Sequence, residues 1–434
     1  MKIPPRFRAH IIDQGMDILS VFFVPRIHML IDFEGELDRD RLAKALRLCL
    51  DAEPVMGCRF VPRWIRPYWE RLSKGDLDSG QLLQTGQDTD AFLSGDFDEK
   101  QGPQLRALLA PGERGERLVL KVNHQVADAG GVKELGYLLA GFYRKLRDDP
   151  GFRPEPNLGS RSLRQVYRRF LPRHFFGLLG RSIREQWGNL KPYKSMNLPA
   201  GTNASGVPVY VFKHFSKKRL EAQGSLLAEH NTTLNDIMVT AMLRALVAHS
   251  NWDAKSALRL TGTVDLRRYL PGRRGQAVCN LSSFFFVNLG YQLGSSFDET
   301  LLMVKKQIDK LKADHFGLGF IFGSYLNTLL YPYALARILM RKIFLRLQRS
   351  GNMSMGMTNM GSIDDHLLDF GAPRVSSAML ITPANQPPML VSGFSGFRDS
   401  LSFSLGIHES SLARARVEEL FETVDRELPG KEIS

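Results

Sequence analysis

Segments that alternate apolar and polar residues give way, along most of this chain, to segments with apolar residues every three or four positions. That succession of strand and helix signals limits the fold more than any other feature. "VPRIHMLIDFEG" predicts a strand, "LDRDRLAKALRLCLDAEP" a helix with Asp38 as its cap, and "PVMGCRFV" a returning strand. After the acidic, turn-rich stretch from Gly75 to Asp98, "GPQLRALLAP" and "ERLVLKVNHQ" predict two more strands. "GGVKELGYLLAGFYRKLRDD" then predicts an amphipathic helix with Val132, Leu135, Leu138, Leu139 and Phe142 on one side. Beyond the proline-rich "DPGFRPEPNLGS" the order repeats loosely. It runs through strand "VPVYVFKHF", helices over Lys217 to His230 and Thr233 to His249, strands "LRLTGTVDL" and "SSFFFVNLGYQL", and helix "DETLLMVKKQIDKLKAD". Strands near "GMTNMG" and from Val375 to Ile407 follow, and the helix "LARARVEELFETVDREL" closes the chain. At 434 residues the chain exceeds the size at which a single core keeps growing. The expectation is a mixed α/β protein, an α+β sandwich of two similar halves over 1–160 and 201–434, with a basic amphipathic linker over 161–200.

Composition narrows the class. Hydrophobic residues make up 43% and charged residues 24%, as in folded globular proteins and unlike disordered ones. Cys49, Cys58 and Cys279 are odd in number and lack metal-ligand spacing, so neither a disulfide framework nor a zinc site is expected. The start, "MKIPPRFRAHIIDQGMD", has no continuous apolar region and no small-residue cleavage site, and a cytoplasmic protein is expected. Phe316 to Ala336 carries no charge and is long enough for a membrane span. Its glycines, Asn327, Pro332 and the basic "RILMRKIFLRLQR" that follows favour helices packed in a core or lying at an interface.

Net charge is +13, and part of the excess clusters between Arg161 and Lys194, where nine Arg or Lys stand against the single acid Glu185. Leu163, Val166, Phe170, Phe175 and Leu178 are interleaved with these charges. A solvated helix face explains the segment taken alone. An anionic membrane surface or an acidic carrier protein are the functional readings, and nucleic acid is not expected because no zinc finger or RNA-recognition signature accompanies the charge.

The strand "ERLVLKVNHQ" delivers His124 at its end, four residues before Asp128 and just ahead of Gly130 and Gly131. In a chain with 10 histidines that spacing alone does not separate a catalytic base from a chance neighbour. A metal-dependent hydrolase is disfavoured, since the pair straddles a strand end and no third ligand stands at the needed spacing.

Four segments together resemble the CoA-dependent acyltransferase superfamily of chloramphenicol acetyltransferase-like fold, particularly its condensation-domain-like and wax-ester or diacylglycerol acyltransferase-like branches. "NHQVADAGG" is similar to the His-His-x-x-x-Asp-Gly motif, "TTLNDIMVTAMLRAL" to the helix opening the second half, "TVDLRRYL" to the Asp-Leu-Arg strand end, and "TNMG" to the Ser-Asn-x-Gly segment. The resemblance implies two halves forming a V with the active site in the cleft. It implies His124 as general base, with Asp128 turned away from the imidazole to pair with an arginine of the second half. Arg267 is the expected partner, with Arg268 next in line and an ordinary surface arginine the alternative. Gly130 is the expected turn glycine. Asn359, Asn280 and Ser282 are the expected oxyanion or cleft-lining residues, unless they are simply turn and strand-end residues. Two departures stand out: Asn123 occupies the place of the first histidine, and Ala129 separates Asp128 from Gly130.

The implied activity is transfer of acyl groups, other than amino-acyl ones, from a thioester to a hydroxyl or amine. No bound cofactor or metal is implied, the donor being acyl-CoA or an acyl-phosphopantetheine on an acyl or peptidyl carrier protein. A monomer is expected, peripheral on the inner face of a membrane where lipidic substrates are involved. The competing reading is a non-catalytic relative that docks on a membrane or an acidic carrier.

Overall fold

Residues 2–79, 82–96, 98, 100–190, 196–198, 200, 201, 205–216, 228, 230–250, 252, 253, 255–350 and 353–429 are described in this computed structural model. The period-2 segments form fourteen strands among the described residues. They are β1 (Arg6–Arg8), β2 (Arg26–Glu34), β3 (Cys58–Val61), β4 (Tyr68–Arg71), β5 (Leu83–Thr85), β6 (Leu105–Pro111) and β7 (Glu116–Asn123). Then come β8 (Pro208–Phe215), β9 (Arg259–Asp265), β10 (Ser282–Asn288), β11 (Gly356–Ile363), β12 (Arg374–Ile381), β13 (Val391–Phe397) and β14 (Ser400–His408). The start of the expected strand "PVMGCRFV" is instead a 3-10 turn over Pro54–Gly57, because Pro54 opens it and cannot donate to a strand ladder. The helix expected over Lys217 to His230 lies almost wholly outside the described residues.

Two large sheets carry the fold. One has six strands in the order β10-β9-β11-β13-β14-β8, the other five in the order β12-β2-β7-β6-β5, and β1-β4-β3 form a small third sheet. On the five-stranded sheet pack the helices Arg39–Ala52 and Ala129–Asp148, the first capped by the Asp38 carboxylate, which accepts from the Arg41 amide at 3.0 Å. Val132, Leu135 and Leu139 are buried there against a core that includes Met29, Ile31 and Leu120. Truncating one such leucine to alanine is expected to cost about 2–5 kcal/mol.

The six-stranded sheet is covered by the helices Leu234–His249, Phe297–Lys312 and Arg414–Glu427. Leu234–His249 opens with a reciprocal cap between Thr233 and Asp236, and it is apolar on nearly every side, which is why it lies deep in this core. The apolar stretch after Phe316 breaks into two helices, Leu318–Leu330 and Tyr333–Ser350, separated at Pro332. No helix among the described residues is long and apolar enough to cross a membrane.

The sheets do not divide at one point in the chain. β12 leaves the carboxyl-terminal region to pair antiparallel with β2, Ala378 opposite Ile31, and the chain then returns to the six-stranded sheet at β13. The end of β7 lies beside the start of β2, Asn123 opposite Arg26, and His124 follows directly.

Candidate active site

β7 stops at Asn123 because the chain turns toward the Ala129–Asp148 helix, and Asn123 itself shapes that turn. The buried Asn123 carboxamide donates to Gln104 Oε1 at 2.6 Å and accepts from the Gln125 amide at 2.9 Å. The residue in the first histidine's place thus organises the loop backbone. The His124 amide donates to the Pro25 carbonyl at 2.7 Å, which ties the loop to the strand next door.

His124 is partly exposed, and its Nδ1 lies 3.0 Å from the Ala127 carbonyl oxygen. A carbonyl can only accept, so Nδ1 carries the hydrogen and the neutral ring keeps its lone pair on Nε2. Enclosure by protein atoms lowers the imidazole pKa from its ordinary value, outweighing the Asp128 charge and the hydrogen bonds that favour protonation. A neutral histidine with the lone pair on its outer nitrogen is the form that can take a proton from a hydroxyl or amine.

Asp128 performs a different task. It is buried and caps the Ala129–Asp148 helix by accepting from the Gly131 amide at 2.9 Å. Its carboxylate also accepts from the Leu281 amide at 2.6 Å and the Ser282 hydroxyl at 2.9 Å, and it pairs with Arg267 Nη1 at 2.9 Å. Among the described residues no hydrogen bond joins it to the imidazole. Burial pushes the Asp128 carboxyl up, but the Arg267 charge and these donors prevail and hold it below its ordinary value.

Arg267 follows β9 in a 3-10 turn, with Asp265 capping its amide at 2.9 Å. Its Nη2 donates to the Cys279 carbonyl at 2.8 Å, and its Nε lies 3.4 Å from a Glu134 carboxylate oxygen. Arg268 makes no such contact among the described residues and instead sits over the Phe316 ring. A Cβ built on Gly130 would stand 2.7 Å from the Arg267 Nη1, so the helix can approach the guanidinium this closely only with glycine there. Ala129, the extra residue, is the first of the helix and leaves that contact intact.

The expected oxyanion donors are placed as follows. The Asn280 carboxamide donates to the carbonyls of His124 at 2.8 Å and Gln125 at 3.0 Å, clamping the histidine loop from the second half. Ser282 donates to Asp128. Asn359 is exposed on β11, accepts from the Gly361 amide at 2.9 Å, and shares no hydrogen bond with the other six residues. His124, Asp128, Gly130, Arg267, Asn280 and Ser282 therefore form one connected cluster across the seam between the two halves.

A second buried ion pair escaped sequence reasoning. Arg161, counted there in the basic segment, is buried and pairs with Asp13 at 3.1 Å, while its Nη2 donates to the Val126 carbonyl at 2.9 Å in the histidine loop. The Trp69 indole N–H also donates to Asp13. Isolation of one arginine in a run of bases is not a sequence signal, so nothing in the chain marks it. Arg161 also forms part of the wall of a cavity of about 600 Å³, which Arg8, Arg66, Arg164 and Arg168 line as well, without any acidic residue.

No family model matches the chain. A stretch of 109 residues is 28% identical to malformin synthetase mlfA of Aspergillus brasiliensis, which is 24% of this chain but only 2% of that protein. Solved structures agree over nearly the whole chain. TRI3 trichothecene 15-O-acetyltransferase from Fusarium sporotrichioides superposes with a TM-score of 0.73 at 10% identity, over 98% of this chain and 94% of that one. The first condensation domain of the CDA synthetase gives 0.67 at 16% identity, over 97% and 94%. Polyketide synthase associated protein 5 from Mycobacterium tuberculosis gives 0.64 at 15% identity, over 98% and 100%.

Proposed function

Since the chain has the two-half fold of the condensation domains and of the TRI3 acetyltransferase, that of the CoA-dependent acyltransferase superfamily, we propose that it is an acyltransferase. It moves an acyl group, other than an amino-acyl one, from CoA or a carrier-protein phosphopantetheine to a hydroxyl or amine acceptor, with His124 as general base. The observation that carries this reading is the 3.0 Å contact of His124 Nδ1 with the Ala127 carbonyl, which leaves the proton-accepting lone pair on Nε2. Nε2 takes the proton as the acceptor oxygen or nitrogen attacks the thioester carbon. The tetrahedral intermediate then collapses, the carbon–sulfur bond breaks, and the same proton passes to the departing thiolate. Asp128 and Arg267 hold the loop and the two halves, 1–160 and 201–434, in register, with β12 crossing from the second half to the sheet of the first. No bound cofactor is needed beyond the donor thioester.

We assign the oxyanion role to Asn359, because Asn280 and Ser282 already donate within the cluster, while the Asn359 NH₂ has no partner among the described residues. The arginine-lined cavity suits the phosphates of a CoA or phosphopantetheine donor, and through Arg161 it abuts the histidine loop. The protein acts as a monomer, held peripherally at the inner face of a membrane. Purified protein incubated with a panel of acyl-CoAs and acyl carriers, with candidate alcohols and amines, should release thiol only when donor and acceptor match. Absence of release from every pair would favour the non-catalytic reading.

A further inference from the structure

The Tyr333–Ser350 helix is pinned on its inner side and open on its outer side. Tyr333 is buried, its hydroxyl donates to Asp17, Arg337 pairs with Asp17 at 3.0 Å, and Gln348 donates to the Pro387 carbonyl at 2.7 Å. On the outer side Leu335, Ile338, Leu339, Ile343 and Leu347 are each at least 40% exposed. The helix has five basic residues and no acidic one, and Arg341, Lys342, Arg346 and Arg349 form no ion pair among the described residues.

A distant segment extends this face. The Tyr333 and Ala334 amides, which an isolated helix start leaves without acceptors, donate to the carbonyls of Ile65 at 3.1 Å and Trp64 at 3.0 Å. Trp64 and Ile65 are both 65% exposed, with the exposed Arg63 and Arg66 on either side. The Trp64–Ile65 loop and the helix therefore present one continuous surface, apolar and basic together, about 27 Å long along the helix axis.

We propose that this surface, the outer side of Tyr333–Ser350 with Trp64 and Ile65, is the site at which the protein lies on an anionic phospholipid membrane. It rests on the peripheral attachment proposed above and, of the two basic segments the sequence offers for it, seats it on this helix rather than on Arg161–Lys194. A helix with apolar residues outward, bases around them and no acid matches the physics of a segment lying in the plane of a lipid interface: the apolar side chains enter the acyl boundary and the bases reach lipid phosphates. Trp64, at one end, stands where an indole favours headgroup depth. The bases of the Arg161–Lys194 segment are divided differently, since Arg161 and Arg181 are buried in ion pairs.

Co-sedimentation with phosphatidylcholine vesicles, with and without phosphatidylglycerol, tests the assignment at low and high salt. The expected result is binding to the phosphatidylglycerol vesicles, weakened by salt. Ile338→Gln with Leu339→Gln should weaken that binding by about tenfold or more, and Lys342→Gln with Arg346→Gln by about tenfold. Melting curves establish that each variant is folded, and Trp64→Gln provides a second apolar variant off the helix. Variants that bind like the parent would overturn this surface while leaving peripheral attachment standing. Failure of the parent to bind would overturn both, whereas equal binding to both lipids at any salt would overturn the anionic-membrane assignment and leave peripheral attachment standing. Thiol release toward a soluble acceptor, read in parallel, should be unchanged in every variant, and its absence in the parent would count against the transfer reading alone.

Discussion

At the seam, Arg267 and Arg161 are buried and each meets a carboxylate within 3.1 Å, whereas Arg341, Lys342, Arg346 and Arg349 on the outer helix face solvent with no ion pair among the described residues. Both regions are rich in arginine. Their consequences differ because a buried charge must be fully partnered, while an exposed one remains in water until something anionic arrives. Asp128 shows the first condition: two backbone amides, a hydroxyl and a guanidinium meet one carboxylate, and that set fixes the loop carrying His124.

The largest effect should come from leaving a buried charge alone. Arg267→Met is expected to destabilise the protein by about 3–5 kcal/mol in urea unfolding, with activity lost in proportion to misfolding of the loop. Asp128→Asn keeps the shape and some hydrogen bonds, so it should lose less stability, together with activity. A loss of activity at unchanged melting temperature would mean that Asp128 acts on the imidazole rather than on the seam.

His124→Ala separates chemistry from architecture. Turnover should fall by on the order of 100-fold or more, with little change in melting temperature. The pH dependence follows from the same residue. Its pKa is lowered in the folded protein from the ordinary 6.5, so as pH falls the unfolded chain takes up this proton first. The stability it contributes is complete above 6.5 and declines as pH drops from there toward the folded pKa, and the acid limb of kcat/KM should lie below 6.5. A kcat/KM profile with its limb at or above that value would contradict the burial effect.

Gly130→Ala is expected to cost about 1–3 kcal/mol, because the added methyl meets the Arg267 guanidinium and one of them must shift. Denaturation midpoints of the single variant and of Gly130→Ala with Arg267→Met would show whether that contact is the cause. The smallest effect belongs to the exposed bases. Charge reversal at Arg164, Arg168 and Arg169 should change stability by no more than about 0.5 kcal/mol, while weakening use of the CoA or carrier donor and leaving proton transfer at His124 unchanged. A large stability loss would mean that these side chains belong to the seam after all.

Sequence by itself determined most of the succession of elements and the spacing of His124, Asp128 and Gly130. Period-2 and period-3.6 patterns and the Asp38 cap depend on residues a few positions apart, and so does the turn that carries His124, Asp128 and Gly130. Arg267 was reachable through the resemblance of "TVDLRRYL", though nothing local shows that it is buried. Only the tertiary structure decided that β12 pairs with β2, that Arg161 leaves its basic neighbours to meet Asp13, and that Asn280 holds the histidine loop. It alone also placed Trp64 and Ile65 at the head of the Tyr333–Ser350 helix. The physical reason is range. Local patterns fix which face of a segment is apolar, but strand partners and charge partners hundreds of residues apart are chosen by which packing buries every polar group with a mate, and spacing along the chain does not encode that choice.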